Sequence, residues 1–245
     1  TEAYYWRYYT NGTWEYWKPM STYKFRAVYP GDKANLESGS TSSRVMLDYK
    51  TGVTGAPDNY DLTVAYTERT PVTEGYGAVP LTFNHALAAV SVKVRYNDAV
   101  SSTASDKLMA LYFRNLIQSA TLFFPSSDRS KTIDWSNNQG INYTDKLYSW
   151  SDTDGISFTN STLASAFGGK YIFVIPQTIG SKQAAIYFQT QESGTIVNLG
   201  YLPAITWEPG KIYDYTLLIS ASSIEVVVTI KTWTKFESEN DITIS

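Results

Sequence analysis

His85 is the single histidine of the chain and the one side chain whose ordinary pKa suits proton transfer near neutral pH. A histidine base needs an acid or a nucleophile within hydrogen-bond reach. No sequence neighbour in Val79-Pro80-Leu81-Thr82-Phe83-Asn84-His85 supplies one, so the expectation is a structural histidine, hydrogen-bonded at a strand start. Asp152-Thr153-Asp154-Gly155 echoes the opening of a calcium loop, but the further ligands and the closing glutamate are missing. A plain hairpin turn at Asp154-Gly155 is the better reading. Cysteine is absent, which removes thiol nucleophiles, thiolate metal sites and disulfides. The 23 acidic residues include no pair singled out for glycoside hydrolysis. No phosphate-cradling glycine loop and no G-x-S-x-G nucleophile turn occurs. No catalytic, cofactor-binding or metal-binding residue is therefore assigned, no cofactor is expected, and the chain is not expected to be an enzyme.

The elements that would position any site read as strands. Ile224, Val226, Val228 and Ile230 alternate with Glu225, Val227, Thr229 and Lys231, the pattern of a half-buried strand. Ser91-Val92-Lys93-Val94-Arg95-Tyr96 alternates in the same way. Tyr171-Ile172-Phe173-Val174-Ile175, closed by Pro176, reads as a central strand. Ala185 to Gln189 and Ile212 to Ile219 are further strands, the latter fed by a turn at Pro209-Gly210. Leu108 to Leu116 fits either period and is read as strand. Asn160 to Gly169 reads as one or two helical turns closed by its glycines. Asn11-Gly12 is a strong hairpin signal, because both residues tolerate positive φ. A two-residue turn there pairs Thr10 with Thr13, Tyr9 with Trp14, Tyr8 with Glu15, Arg7 with Tyr16 and Trp6 with Trp17. Tyr4, Trp6, Tyr8, Glu15 and Trp17 are expected on the buried face. Trp14 and Tyr16 fall on the wet one, where exposed rings suit sugar faces, but docking of the hairpin's aromatics on the rest of the domain is the better reading. Short strands also fit at Arg44 to Tyr49 and Asp61 to Thr67, and Thr70 to Pro80 reads as a connector.

Composition agrees with an all-β chain. The 245 residues are 43% hydrophobic and 15% aromatic, with 20 tyrosines and seven tryptophans. Only 18% are charged, below the usual quarter or so. Serine and threonine, 26 and 28 residues, supply much of the polar surface. The net charge of −3 carries no basic footprint, so nucleic acid is not an expected partner. No run of 18 apolar residues occurs that would span a membrane. Thr1-Glu2-Ala3-Tyr4 is not a secretory leader, and the chain reads as starting after a processed or truncated one. Asn11-Gly12-Thr13, Asn142-Tyr143-Thr144 and Asn160-Ser161-Thr162 are sequons that matter only in a glycosylating source.

Several phrases together resemble the Bacteroidales fimbrillin-like family, the type V pilins and Mfa-like surface lipoproteins. Tyr23-Lys24-Phe25-Arg26-Ala27-Val28-Tyr29-Pro30 is similar to its "Y-x-F-x-A-Y-Y-P" strand, and Asp61-Leu62-Thr63-Val64-Ala65 to its "D-L-L-x-A" segment. Leu81-Thr82-Phe83-Asn84-His85-Ala86-Leu87-Ala88-Ala89-Val90-Ser91-Val92-Lys93-Val94 resembles "L-x-F-x-H-x-L-A-x-V-x-V-x-V". Ile175-Pro176-Gln177-Thr178 is similar to "V-P-Q-T". Trp207-Glu208-Pro209-Gly210-Lys211-Ile212-Tyr213-Asp214-Tyr215 is similar to "W-x-x-G-K-x-Y-x-Y", and Val228-Thr229-Ile230-Lys231-Thr232-Trp233 to "V-x-I-x-x-W". The resemblance implies an all-β fold of two tandem transthyretin-like β-sandwich domains with little helix, residues 1–80 and 81–245, with the first strand of the first domain either present or missing. It implies a structural subunit of cell-surface fimbriae, pilin or anchor or tip, which assembles with other fimbrial subunits by donor-strand β-augmentation and serves in adhesion. It further implies export to the cell surface, and a membrane link only through an N-terminal lipid anchor outside this chain. The tail Phe236 to Ser245 is compatible with a donor strand or an ordinary edge. The alternative is a surface lipoprotein that does not polymerise and binds a host glycan or protein through exposed Trp and Tyr.

Overall fold

The computed structural model of the chain describes residues 7–10, 12–16, 18, 20–31, 34–36, 46–50, 60–71, 79–124, 133, 135, 146–194 and 198–233. In chain order its strands are β1 (Arg7–Thr10), β2 (Thr13–Tyr16), β3 (Tyr23–Tyr29), β4 (Ala34–Leu36), β5 (Met46–Lys50), β6 (Thr63–Arg69) and β7 (Asn84–His85). Then come β8 (Ala88–Tyr96), β9 (Asp106–Arg114), β10 (Ser119–Phe123), β11 (Leu147–Phe158), β12 (Ala164–Ser165) and β13 (Ile172–Val174). The last six are β14 (Gln177–Ile179), β15 (Ala185–Thr190), β16 (Asn198–Tyr201), β17 (Ile205–Trp207), β18 (Lys211–Ile219) and β19 (Ile224–Thr232). The fold is all-β, as expected. No helix of the described residues is long and apolar enough to cross a membrane.

The larger body is a sandwich of two sheets, β11-β9-β15-β16 and β12-β8-β18-β19. Alternate side chains of each sheet point inward and interdigitate, the normal sandwich arrangement. Val90, Val92 and Val94 of β8, with Tyr213, Tyr215 and Leu217 of β18, share one core with Leu111, Phe113, Ile186 and Phe188. β8 and β18 run parallel, with Ala89 opposite Ile212 and Tyr96 opposite Ile219. Parallel strands are normally buried on both faces, and β8 is accordingly buried from Ala88 through Val92.

The remaining strands form smaller sheets. β3-β6-β7 and β10-β5-β4 are each three-stranded, and β14 pairs β17. β10 returns from beyond residue 80 to pair with β5, Ala120 opposite Tyr49. Its Ala120 and Leu122 lie in a second core with Leu62, Val64, Ala86 and Leu87. β1 and β2 pair Thr10 with Thr13 through Arg7 with Tyr16, the register that the Asn11-Gly12 turn dictates, and Gly12 has the positive φ of 80° such a turn uses. The Trp6–Trp17 pair, the placement of the hairpin side chains and the tail 236–245 lie outside the described residues.

Three local expectations differ from the structure, and a fourth, the helical turn closed by Gly168 and Gly169, holds in part. Residues 171–175 do not form a central strand: among the described residues β13 pairs only with β8, beside β12 on the same edge. Asp154-Gly155 is not a hairpin turn. It lies within β11, where both Ser151 and Ile156 still pair with β9, so the extra residues form a bulge. The Asp152 carboxylate accepts the Asp154 and Gly155 amides, both at 3.0 Å, and Gly155 has φ 66°. That left-handed φ favours glycine, and a Cβ there would also crowd Lys107 Cβ at 3.0 Å and the Leu108 carbonyl at 3.3 Å. Residues 160–169 form the two-residue β12 and a 3-10 turn, Ala166–Gly169, in which Phe167 and Gly168 are left-handed. β19 alternates between half-buried and exposed side chains from Ile224 to Thr229, and its last residues are exposed.

Candidate assembly edge

β19 is nine residues of regular strand, rich in β-branched side chains and without proline or bulge. It pairs along its whole length with β18 on one side. Among the described residues no strand lies against its other edge. Natural edges of this length are usually blunted, because an open ladder of amides and carbonyls templates another strand.

Which part of β19 is covered depends on its partner sheet. Ile224, Val226 and Val228 pack against the core. β16 closes over the upper half through Gly200, where a Cβ would approach Val226 Cγ2 to 3.0 Å and Leu217 Cδ2 to 3.1 Å. β16 ends at Tyr201, and below it the core-facing row Val90–Tyr213–Ile230 runs out of cover. Val90 and Tyr213 are buried, whereas Ile230 is 54% exposed. Val227, on the outer face, is 40% exposed. The outer face is held by polar contacts instead. Asp214 accepts the Ser91 hydroxyl at 2.6 Å and the Lys231 ammonium at 2.6 Å, which fastens β8, β18 and β19 together.

Burial alone would raise the Asp214 carboxyl. Hydrogen bonds from Lys231 and Ser91, with the positive charges of Lys231 and Lys93, outweigh burial and leave it below its ordinary value. A depressed carboxyl stabilises the fold above its unfolded pKa of about 3.9, and that stabilisation disappears as pH falls through the folded value. Thermal melts between neutral and strongly acid pH should show a steeper acid loss for the native chain than for Asp214→Asn.

The edge is anchored at its far end by a ring stack. Trp233, directly after β19, lies 3.8 Å from His85 between ring centroids at 10°, and 5.3 Å from Phe173 at 5°. His85 Nδ1 is 2.8 Å from Asp61 Oδ2. The Trp233 amide donates to the Gly210 carbonyl at 3.0 Å, and the Gly210 amide to Leu87 at 2.9 Å. His85 is hydrogen-bonded, as expected from the sequence, but it closes the two-residue β7 and does not open a strand. Its partner Asp61 stands 24 residues away, and no sequence neighbour pointed to it.

A family model described as fimbrillin-like matches residues 4–233. The chain belongs to the fimbrillin-like family. It is similar in fold to a protein from Bacteroides uniformis assigned to cell adhesion, with a TM-score of 0.59 at 18% identity, covering 92% of this chain and 78% of the other. A fimbrial protein from Bacteroides vulgatus gives 0.57 at 16% identity, covering 93% and 84%. A cell-adhesion assignment also attaches to a Bacteroides ovatus protein, at 0.55 and 15% identity over 90% and 71%. No curated protein matches the sequence.

The fimbrillin-like phrases now have physical content. Asp61, His85 and Trp233 come from three of them and meet in one stack. Trp207, Tyr213 and Tyr215 come from a fourth and form a buried cluster, in which Trp207 Nε1 donates to the Tyr215 hydroxyl at 2.9 Å. Gly210, at φ 67°, makes the turn between them. Gln177 comes from "V-P-Q-T"; its carbonyl accepts the Ile117 amide at 3.0 Å and its amide group donates to the Ile175 carbonyl at 3.0 Å. The sequon at Asn160 is engaged, its side-chain amide donating to the Val100 carbonyl at 3.1 Å. Asp152 and Asp154 belong to no group of three or more acidic, histidine or cysteine residues that could hold a metal ion among the described residues. The sequence alternation of β9 and β15 also placed a pair that was not singled out. Tyr112 and Tyr187 stack at 5.2 Å on the outer sheet face, with Arg114 4.6 Å from the Tyr187 ring and Lys146 4.8 Å from that of Tyr112.

Proposed function

We propose that this chain is a structural, non-enzymatic subunit of cell-surface fimbriae that accepts a strand of a neighbouring subunit along β19. The observation that carries the reading is Ile230: a side chain in phase with the core, uncovered, at the end of an open nine-residue edge. An added strand would pair with the free amides and carbonyls, and its alternate side chains would cover Ile230 and Val228. That is β-augmentation, in which backbone bonds give affinity and side-chain pockets give register. The family and the named fimbrial and adhesion proteins support the assignment to fimbriae, to the cell surface and to attachment. Two tandem transthyretin-like sandwiches, 1–80 and 81–245, are part of the same proposal. β10 then completes the first of them from the second segment. A lipid anchor ahead of the chain would hold it in the outer membrane.

The test is assembly. The resemblance to the pilins implies that a protease removes an N-terminal strand before assembly, so protein treated with such a protease should form ladders that survive mild denaturant. Ile230→Lys should abolish the ladders and leave monomer stability within about 0.5 kcal/mol, because the position is mostly exposed. A treated sample that remains monomeric at high concentration overturns the polymerising role. Ladders unaffected by Ile230→Lys overturn the choice of edge.

A further inference from the structure

At the opposite end of β19 from Ile230, the turns that follow β8, β15 and β18 surround a cleft of about 430 Å³. That is within the size range of small-ligand sites, roughly 300–1,000 Å³, at the end suited to a sugar-sized molecule. Its lining includes Tyr96, Val100, Asp106, Glu192, Asn198 and Ile219. Among the described residues, the titratable groups facing it are the Tyr96 phenol and the two carboxylates, and no lysine, arginine or histidine lines it. The nearest arginine, Arg95, directs Nη1 elsewhere, to Asp98 at 2.5 Å, to the Asn160 carbonyl at 2.8 Å and to the Tyr96 carbonyl at 3.1 Å.

Asp106 is buried, and one of its oxygens accepts the Lys107 and Glu192 amides at 2.7 and 2.9 Å. Those bonds hold a carboxylate fixed at the wall of the cleft. Glu192 stands exposed at the mouth and accepts the Tyr96 hydroxyl at 3.3 Å. Burial, then the charges of Asp106 and Glu192, push the Tyr96 phenol up to about 12, so it remains a neutral donor at physiological pH. Val100, Ala104 and Ile219 form an apolar side, and Asn198 and Ser220 add uncharged hydrogen-bonding groups.

We propose that this cleft binds a small hydroxylated primary amine, of the amino-sugar class, with the ammonium between Asp106 and Glu192. A sugar ring lays its C–H face on the apolar side and its hydroxyls against Asn198 and Ser220. An uncharged sugar leaves the carboxylates without a counter-charge, and an amine lacking hydroxyls forgoes the polar side. The site stands apart from β19's lower half, so it holds or fails independently of fimbrial assembly.

The experiment is calorimetric or NMR titration of the intact chain with glucosamine, and with glucose and N-acetylglucosamine as uncharged matches. Glucosamine should bind saturably, and the uncharged sugars about tenfold or more weaker, the usual scale for losing a charge-assisted hydrogen bond. Glu192→Gln should weaken glucosamine by a similar factor and leave the melting temperature unchanged. Asp106→Asn, with its fold verified by melting and by the amide spectrum, should weaken it further. Absence of saturable binding, equal binding of glucose, or full affinity in Glu192→Gln would each overturn the site.

Discussion

Trp207→Ala is expected to cost the fold about 3–5 kcal/mol, the range for removing a large buried aromatic. Trp207 is 1% exposed and packs on Tyr213 and Tyr215, with ring centroids 6.2 and 6.4 Å away. Its truncation does three things at once. It removes apolar contact from the middle of the sandwich. It takes away the donor that satisfies the Tyr215 hydroxyl, whose own ionisation burial pushes well above the ordinary tyrosine range. It also loosens β17, which is pinned to β18 because the Tyr213 hydroxyl donates to the Thr206 carbonyl and accepts the Glu208 amide, both at 2.8 Å. Denaturant melts followed by tryptophan fluorescence and by far-ultraviolet dichroism measure the loss. Trp207→Phe should recover part of the packing but not the hydrogen bond. A loss below about 1 kcal/mol in Trp207→Ala would mean that the cluster is not a keystone of the core.

How much of this was legible in the sequence follows from the range of each interaction. Period-2 patterning is local, so β8, β15, β18 and β19 were readable, and the β1–β2 register followed from two turn residues. Neighbour relations between sheets are not local. Nothing in the spacing of Ser91–Tyr96 and Ile212–Ile219 says that they pair in parallel. The same limit misplaced residues 171–175: an apolar run ending in proline looks central, but β13 is an edge strand whose side chains are buried by what packs over it, Val174 being fully buried. Asp154-Gly155 carried a true turn signal, positive φ at glycine, and β11 used it to bulge and then continue against β9. β19 shows the reverse error. Alternation gives the phase of a side chain but not whether the opposite sheet extends far enough to cover it, so Ile230 looked half-buried and is not. The cleft was equally invisible, since Tyr96 and Asp106, at the two ends of the β8–β9 connection, meet Glu192 from beyond β15.

The second large effect expected is at Trp233. The residue is 6% exposed and is stacked on both His85 and Phe173, so alanine should again cost about 3–5 kcal/mol. The distribution of that cost separates it from Trp207. Trp233 touches β7 through His85 and β13 through Phe173, and its backbone is tied to the turn at Gly210. Its loss therefore releases one end of the larger sandwich from the sheet to which β6 and β7 belong. Hydrogen exchange should quicken first at Thr63, Val64, Asn84 and His85, while the Val92–Tyr215–Val228 row stays protected. Trp233→Phe should keep the stack and much of the stability. Uniform loss of protection across β8, β18 and β19 would show that Trp233 is one more core residue and not a clasp. Three segments far apart in sequence, around Asp61, His85 and Trp233, meet only here. A contact of that kind holds the C-terminal end of β19 against β7 and β13, segments that the strand pairing of β19 alone does not reach.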